Sequence, residues 1–445
     1  METSRTSHKR NGVTVGVDDF AKVRESGTLW VDKSILIERF IFDSHECNVL
    51  LRPRRFGKSL NLSMLKYFLT DDLDLSYQRK LFEGLVITKS VELCESHMGK
   101  YPVISINFKE CHGNNWECIR ERIIHKLAAS LRPFEGYMDN LLGRPERAIT
   151  LEERIGGQSD TQLASLIARL MTLLHKEKNK RVVLLIDEYD APLNSKLLTD
   201  GDEHSRASFF SFMYSDALKS NTALFKACLV GVAEIRGAGI LSGVNNLGIA
   251  SIEDKWFADC FGFTQEKAVI CPKEVFDYSA PEAIRSLTEK GGINEWYNGY
   301  IFGGIQVINP WSFMKFIYSD EVFAGYWTRT SATESMFTMM KNDNSFTGRL
   351  IFALQELLRL KSSTGEVGNP PARARLEIEL FDTELNMREN ASWSQDKALH
   401  FLCMAGYLTY QRKDTKRGEV WIPNREIYNE WTRIVKQFAG FHPLD

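Results

Sequence analysis

The chain has 445 residues, enough for two or three packed units rather than one small domain. Its hydrophobic share of 43%, charged share of 26% and formal net charge of -2 exclude a uniformly basic, polyanion-binding chain. The eight cysteines include no CxxC pair, and the polar segment 1–12 lacks the apolar core of a secretory signal. No run of about 18 apolar residues occurs. We therefore expect a soluble, cytoplasmic protein with reduced thiols and no membrane span.

The first strong element is the apolar run 47–51, which is too short for a helix and predicts a buried strand. Turn-forming Arg52-Pro53 follows it. From Gly57 onward apolar residues recur every three or four positions, which predicts a helix. The order strand, loop, helix is typical of phosphate sites, where backbone N–H groups and the positive end of the helix face the anion.

The loop 52–59 reads RPRRFGKS and has the residue types of such a site. Lys58 would contact the β and γ phosphates, Ser59 would bind Mg²⁺ through its hydroxyl, and Gly57 would let the backbone approach the phosphates. The strict pattern GxxxxGK[ST] requires glycine where Arg52 stands, and Gly-Lys-Ser alone is a weak signal. The predicted nucleotide-binding residues are Arg54, Arg55, Phe56, Gly57, Lys58, Ser59 and Leu60.

The flanking arginines of the loop leave two interpretations open. Arg54 and Arg55 either clamp phosphate or substrate or have a solvated or salt-bridged structural role.

Strand and helix patterns alternate over the next part of the chain. The predicted elements are a strand at 102–108, an insertion or connector at 132–160, a helix around 163–174, a strand at 182–186, a helix near 203–219 and a strand at 223–232. Near-continuous apolar strands separated by helices favour a parallel sheet covered on both faces. We therefore predict an α/β fold.

The strongest strand, 182–186, ends in Asp187-Glu188. A carboxylate at the end of a buried strand is costly unless a cation or donor meets it. We predict that Asp187 holds Mg²⁺ through water, opposite Ser59, and that Glu188, together with Lys58, is catalytic, with Glu188 as the general base. A simple surface turn is the alternative. Asp190 is expected to cap or pair locally.

Beyond residue 262 the pattern changes to helices with many aromatic residues, and 361–373 has the composition of a linker. A final helix (396–405) is followed by two strand-like pieces joined by a basic turn, 412–418, which suggests a winged-helix unit. The turn could contact DNA phosphates or be an ordinary solvated turn. We predict three units: a P-loop ATPase domain at 13–262, a helical region at 263–360 and a helix-hairpin unit at 374–440.

The stretch RPRRFGKSLNLSMLKYFL, Arg52 to Leu69, resembles the predicted AAA-ATPase-like family. Similar landmarks extend over 18–430, including Trp30 to Ser34, Trp296 to Tyr300 and Asn309 to Ser312. The resemblance implies a P-loop ATPase fold of the additional-strand type, with a strand between the two nucleotide motifs and a helical region after it. It also accounts for Arg52, because this family carries arginine where other P-loops have glycine.

Two departures from the family change the expected activity. The family's Thr-Gly-x-x-Arg after the fourth strand is here Val230 to Glu234, so a hydroxyl and an arginine are missing, and Arg236 is the available substitute. Losing an arginine at the γ-phosphate can cost orders of magnitude in hydrolysis. Many relatives also carry a PD-(D/E)XK nuclease domain after the landmark Ile422-Pro423-Asn424, which we expect to be absent here. The stretch 253–255 is a weak nuclease candidate.

Three hypotheses follow from the sequence. The first is an ATP-binding protein with slow Mg²⁺-dependent hydrolysis that moves its C-terminal region. The second is a nucleotide-dependent adaptor, serving a protein partner or separate effector, or a DNA-associated module with little turnover. The third is a degenerate scaffold without nucleotide, which the intact Lys58 and Asp187 argue against. The oligomeric state is not predicted.

Overall fold

The computed structural model describes residues 13, 15–113, 115–193, 200–232, 241, 244, 246–266, 292–319, 322–328, 344–359, 374–380 and 394–439. The central sheet consists of the described strands β1 (Cys47–Leu51), β2 (Val103–Asn107), β3 (Val182–Asp187), β4 (Leu224–Gly231) and β5 (Leu247–Ala250). They lie in the order β2-β3-β4-β1-β5 with every pairing parallel. Strand β4 lies between β1 and β3, so the α/β fold of the additional-strand type is confirmed.

The register of the strands brings the two predicted motifs to one edge of the sheet. Asn107 at the end of β2 pairs with Asp187 at the end of β3, and Asp187 pairs with Val230 of β4. Leu51, the last residue of β1, pairs with Gly231. Ligands of parallel α/β sheets bind outside the carboxyl ends of the strands, and these four strands end together there.

Helices cover this sheet and bury most of β1, β3 and β4, whereas the edge strand β5 is largely half-buried. Those described up to residue 218 are α1 (Phe20–Glu25), α2 (Ile35–Phe42), α3 (Lys58–Leu69), α4 (Leu75–Phe82), α5 (Val91–His97), α6 (Trp116–Leu131), α7 (Met138–Leu142), α8 (Leu151–Gly156), α9 (Asp160–Ala164), α10 (Leu166–Lys178) and α11 (Asp200–Leu218). Short 3₁₀ helices occupy Val86–Lys89, Arg132–Tyr137 and Ala258–Cys260.

The predicted insertion or connector is itself helical, and one predicted helix is divided. The segment 132–160 contains α7 and α8, and α8 begins with a capping box, the reciprocal bonds between Thr150 and Glu153. The single helix predicted around 163–174 is divided into α9 and α10. Ser165 stands at the break and its hydroxyl donates to the carbonyl of Gln162, a local bond that competes with helix continuation.

The sheet separates two apolar cores. Leu50 and Leu185 belong to the core that contains Leu65 of α3, whereas Val49 and Leu184 belong to the core on the opposite face. The first core continues through residues of the C-terminal region. The units predicted at 13–262, 263–360 and 374–440 therefore share buried surface, and their boundaries stay predictions.

The region beyond residue 262 is mostly helical, as predicted. Its described helices are α12 (Ile293–Tyr297), α13 (Pro310–Tyr318), α14 (Asn344–Arg359), α15 (Gln395–Ala405) and α16 (Arg425–Ala439). An unpredicted hairpin, β6 (Tyr300–Phe302) with β7 (Ile305–Val307), turns at Gly303 and Gly304, whose φ of +53° and +86° suit a two-residue hairpin turn.

A three-stranded antiparallel sheet lies near the C-terminal end of the described chain. Strands β8 (Leu376–Glu379), β9 (Thr409–Arg412) and β10 (Arg417–Trp421) pair antiparallel in the order β8-β10-β9. A winged-helix unit stays a prediction, and the linker predicted at 361–373 lies outside the described residues. Within the part of the chain described, no helix has both the length and the apolarity needed to cross a membrane.

Candidate functional site

The loop between β1 and α3 has the backbone shape of an anion cradle. Arg55 and Gly57 both have left-handed φ values, +69° and +84°. Alternation of right- and left-handed residues turns successive backbone N–H groups toward a common concavity. A Cβ added to Gly57 would meet no atom within 4 Å, so the space in front of this residue is open. The start of α3 adds the positive end of a helix to the same place.

Arg52, which stands where other P-loops have glycine, points away from this concavity. Its fully buried guanidinium donates to the carbonyls of Leu51 (2.7 Å), Ala250 (2.9 Å), Ser251 (2.7 Å) and Phe257 (3.0 Å). Burial lowers the pKa of Arg52 to about 10. The side chain therefore ties the loop to the end of β5 and is no phosphate ligand.

Lys58 spans the loop from the first turn of α3. Its ammonium donates to the carbonyls of Arg52 and Pro53, both at 2.9 Å. Burial lowers its pKa to about 8, and the carboxylates of Asp187, Asp190 and Glu188 oppose that shift. An ammonium has three donors, so the two loop carbonyls leave one N–H for another acceptor.

Asp187 carries a buried oxygen atom without a partner. Its Oδ2 accepts a 2.8 Å hydrogen bond from the amide of Asn107, while Oδ1 has no hydrogen-bond partner among the described residues. Burial raises the pKa of Asp187 to about 6, and the nearby Ser59 hydroxyl and Lys58 ammonium oppose this shift. An orphaned carboxylate oxygen beside a hydroxyl suits a hard divalent cation, which prefers oxygen ligands. The donor set thus fits Mg²⁺.

Glu188 follows directly and faces the loop. Its φ of +51° is a strained value for a residue with a side chain, and such strain concentrates at functional sites. Glu188 is half-buried and close enough to raise the pKa of Arg55, which burial and the charge of Arg54 lower. The carboxylate is therefore within electrostatic reach of the cradle.

Asp190 connects the two strand ends beside this site. Its Oδ2 accepts from the backbone N–H of Val232 at 3.0 Å, a partner 42 positions away in the sequence. A Cβ on Gly231 would lie 2.6 Å from Oδ1 of Asp190 and 2.7 Å from the Tyr189 ring. Only glycine fits there without displacing the segment 187–190.

The other predicted nucleotide-binding residues, Arg54, Arg55, Phe56 and Leu60, differ in burial and in the residues that they contact. Phe56 is buried, and its ring packs 5.0 Å from those of both Tyr300 and Phe302. Arg54 is exposed, and the guanidinium of Arg55 lies 4.1 Å from the Trp311 ring centroid. Leu60 is half-buried in the first turn of α3.

Of the positions that depart from the family's Thr-Gly-x-x-Arg pattern, the structure describes Val230. Val230 lies beside Asp187 in the sheet and is buried, so no hydroxyl occurs at this position. Glu234 and Arg236 lie outside the described residues.

The basic turn of the C-terminal sheet is paired with acidic residues. Arg412 makes two bonds to Glu253, of 2.6 and 2.8 Å, and Lys413 lies 2.7 Å from Glu419. Glu253, from the weak nuclease candidate 253–255, is thereby engaged in an ion pair. Much of the positive charge of this turn is therefore compensated within the protein.

Two functional candidates were absent from the sequence analysis. Asn107 holds Asp187, and Trp327 donates from its indole Nε1 to the carbonyl of Arg54 at 3.1 Å. For Asn107 a signal existed, because a polar residue ends an apolar strand just as Asp187 does. No local pattern distinguishes Trp327.

Comparison with known proteins gives a family match and distant relatives. A model of the family described as predicted AAA-ATPase matches residues 14–241. The chain is 27% identical over 365 residues to an "uncharacterized protein in vnfD 5′region" of Azotobacter chroococcum mcd 1. That match covers 81% of this chain and 61% of the relative, so the chain spans about 61% of the relative's length.

Among solved structures, the chain is similar to the ORC2 protein of Aeropyrum pernix in its ADPNP–ADP complexes. The identity is 9% and the TM-score 0.39, with 92% of this chain and 94% of that chain covered. At this level of similarity we transfer neither function nor partner.

Proposed function

We propose that this chain, which belongs to the predicted AAA-ATPase family, binds ATP with Mg²⁺ at the carboxyl edge of its central sheet and hydrolyses it slowly. The observation that carries the proposal is the convergence of Lys58 and Ser59 on Asp187, whose buried Oδ1 has no partner among the described residues. A buried carboxylate oxygen without a hydrogen-bond partner is costly in a ligand-free protein and becomes favourable once a cation meets it.

Each residue of the loop has a proposed role. The remaining N–H of Lys58 would meet the β and γ phosphates, and the cradle around Gly57 would supply backbone donors. Phe56 would act through its backbone, because its side chain is buried between aromatic rings. Arg54 and Arg55 would reach the phosphates from the rim, and Leu60 would contact the nucleoside.

Mg²⁺ would be held by the Ser59 hydroxyl and the Asp187 carboxylate. When bound, the ion neutralises charge on the β and γ phosphates. Asn107 fixes the orientation of Asp187 through Oδ2, which leaves Oδ1 for the metal or a water on it.

Glu188 is the proposed general base, because it is half-buried and lies within electrostatic reach of both Lys58 and Arg55. Slow turnover is proposed because apolar Val230 replaces the polar residue that the family has beside the γ-phosphate. ATP and ADP differ by that phosphate, so the C-terminal region would change position between the two states.

A nucleotide-dependent adaptor or DNA-associated module with negligible turnover is the second candidate function, and Val230 is the observation that favours it. It predicts salt-sensitive DNA binding that disappears when the basic residues of 412–417 are neutralised.

Steady-state ATP hydrolysis and ATP binding, measured with Mg²⁺ on wild type, Lys58→Ala and Glu188→Gln, test the proposal. We expect turnover to be lost in both variants and binding to survive only in Glu188→Gln. Lys66→Ala, on the exposed face of α3, and the exposed Glu177→Gln are matched controls that should behave as wild type. Binding without turnover in wild type would favour the adaptor, and unchanged ATP affinity in Lys58→Ala would refute the site.

A further inference from the structure

The first three carbonyl groups of the phosphate-binding loop, at 52–54, all accept hydrogen bonds from side chains. Those of Arg52 and Pro53 accept from Lys58 at 2.9 Å each, and that of Arg54 accepts from the indole of Trp327 at 3.1 Å. Lys58 belongs to the loop's own helix, whereas Trp327 is far along the chain and fully buried at 1% exposure. One of these three bonds to loop carbonyls therefore comes from the C-terminal region.

Both the backbone and the ring of Trp327 contact other residues of the C-terminal region. Its backbone N–H donates to Oε1 of Glu426 at 2.6 Å, and the hydroxyl of Ser312 donates to Oε2 of the same carboxylate at 2.7 Å. Its indole packs edge-on against Tyr407, with the ring centroids 4.8 Å apart. Glu426 is 1% exposed and lies in the first turn of α16. A continuous chain of hydrogen bonds thus joins α16 and α13 to the loop.

The turn after α15 makes a second contact with the same loop. Gly406, with a φ of +89°, ends α15, and a Cβ placed on it would lie 2.8 Å from Cβ of Pro53. The turn after α15 therefore touches the loop without space for a side chain. Close packing of this kind transmits displacement rather than absorbing it.

We propose that Trp327 is a positioning residue of the phosphate-binding loop, and that its bond to Glu426 couples nucleotide occupancy to the C-terminal region. This inference rests on the proposed ATP site and names its regulation. If the Arg54 carbonyl shifts when phosphate enters the loop, Trp327, Glu426 and α16 must follow or lose their bonds. By thermodynamic reciprocity, a change at Glu426 then alters nucleotide affinity.

Amide hydrogen exchange in the ATP-free protein tests the positioning role alone. Trp327→Phe keeps an aromatic ring against Tyr407 and removes the N–H to Arg54. Trp116→Phe is the control, because its indole also donates a hydrogen bond, to Asp160 at 2.9 Å, and it packs against the core on the opposite face of the sheet. We expect exchange within 54–57 to rise about 3- to 10-fold in Trp327→Phe and to stay at the wild-type rate in Trp116→Phe. Equal exchange in the two variants would overturn the positioning role.

ATP titration tests the coupling. We expect Trp327→Phe and Glu426→Ala to bind ATP about 3- to 10-fold more weakly than Trp116→Phe, and Glu426→Gln, which keeps an acceptor for Trp327, to recover most of the loss. Unchanged affinity in Trp327→Phe, beside a wild type that binds ATP, would overturn the coupling. A wild type that binds no ATP would overturn both the coupling and the proposed function, whereas the exchange result would still decide the role of Trp327.

Discussion

The amide of Asn107 donates to one oxygen of Asp187 at 2.8 Å and leaves the other oxygen, Oδ1, buried with no partner among the described residues. The two residues are paired in the register of β2 and β3, at the edge where the phosphate-binding loop begins. Asn107 thus fixes a metal-binding carboxylate in the ATP-free protein. Because it is buried, the ionised Asp187 carboxylate lowers the stability of the ATP-free protein.

Asp187→Asn should stabilise the ATP-free protein near neutral pH. The pKa of Asp187 is about 6 in the folded protein, above the value of 3.8 for the unfolded chain. The stability that this group contributes is therefore fully present below pH 3.8 and is lost as the pH rises through about 6, where the folded carboxyl ionises. Asparagine keeps the acceptor for Asn107 and removes the charge. We expect a gain on the order of 1–3 kcal/mol at pH 7 and none at pH 4, measured by urea unfolding. The exposed Asp72→Asn should change neither value, and a loss of stability in Asp187→Asn at pH 7 would refute the prediction.

ATP affinity should decrease above about pH 8. Burial places the pKa of Lys58 at about 8 in the ATP-free protein, and phosphate binding needs the charged ammonium. We therefore expect the affinity to fall by up to about tenfold per pH unit between pH 8 and 9.5, measured by calorimetry at constant Mg²⁺. Lys58→Arg, which stays charged, should give a flat profile whatever its affinity. A flat wild-type profile would mean that Lys58 is not the phosphate ligand.

Arg52→Ala should unfold the loop region rather than restore a conventional P-loop. The substitution leaves the carbonyls of Leu51, Ala250, Ser251 and Phe257 without their donor and opens a cavity. We expect a loss of more than about 3 kcal/mol in unfolding free energy, with no gain in ATP affinity. Arg79→Ala, at an exposed site on α4, should stay within about 0.5 kcal/mol of wild type. A similarly small change in Arg52→Ala would contradict the anchoring role.

Gly231→Ala should disturb catalysis through packing. The added Cβ would lie 2.6 Å from Asp190 and 2.7 Å from Tyr189, so the segment that carries Glu188 must move. Overpacking of this kind costs about 1–3 kcal/mol, measured by thermal unfolding, and turnover should fall more than ATP affinity. Gly136→Ala, where a Cβ meets nothing within 4 Å, should leave both unchanged. Wild-type turnover in Gly231→Ala would show that the segment tolerates the shift.

The parts of the fold that depend on local patterns were predictable from the sequence. The apolar runs that became β1 and β3, and the helix after Gly57, follow from burial and spacing alone. The family resemblance added the strand between the two motifs, which the sheet order confirms. Short β5, by contrast, has the weak sequence Leu-Gly-Ile-Ala and is defined by its pairing with β1.

The roles that were not predicted depend on contacts between distant parts of the chain. From the sequence, Arg52 is only an arginine in place of the usual glycine, and its anchoring role appears once its guanidinium is seen to bind carbonyls near residues 250 and 257. Trp327 stands 273 positions from the Arg54 carbonyl that it binds. No spacing rule connects such residues, because the fold alone brings them together.

The central claim is that Lys58, Ser59 and Asp187 form one Mg²⁺–ATP site. Its most direct test is a calorimetric titration of ATP into wild type and Asp187→Asn at pH 7, each with and without Mg²⁺. We predict that Mg²⁺ tightens ATP binding at least about tenfold in wild type, equivalent to about 1.4 kcal/mol, and has no effect in Asp187→Asn. Equal tightening by Mg²⁺ in both proteins would show that Asp187 does not hold the metal and would contradict the claim.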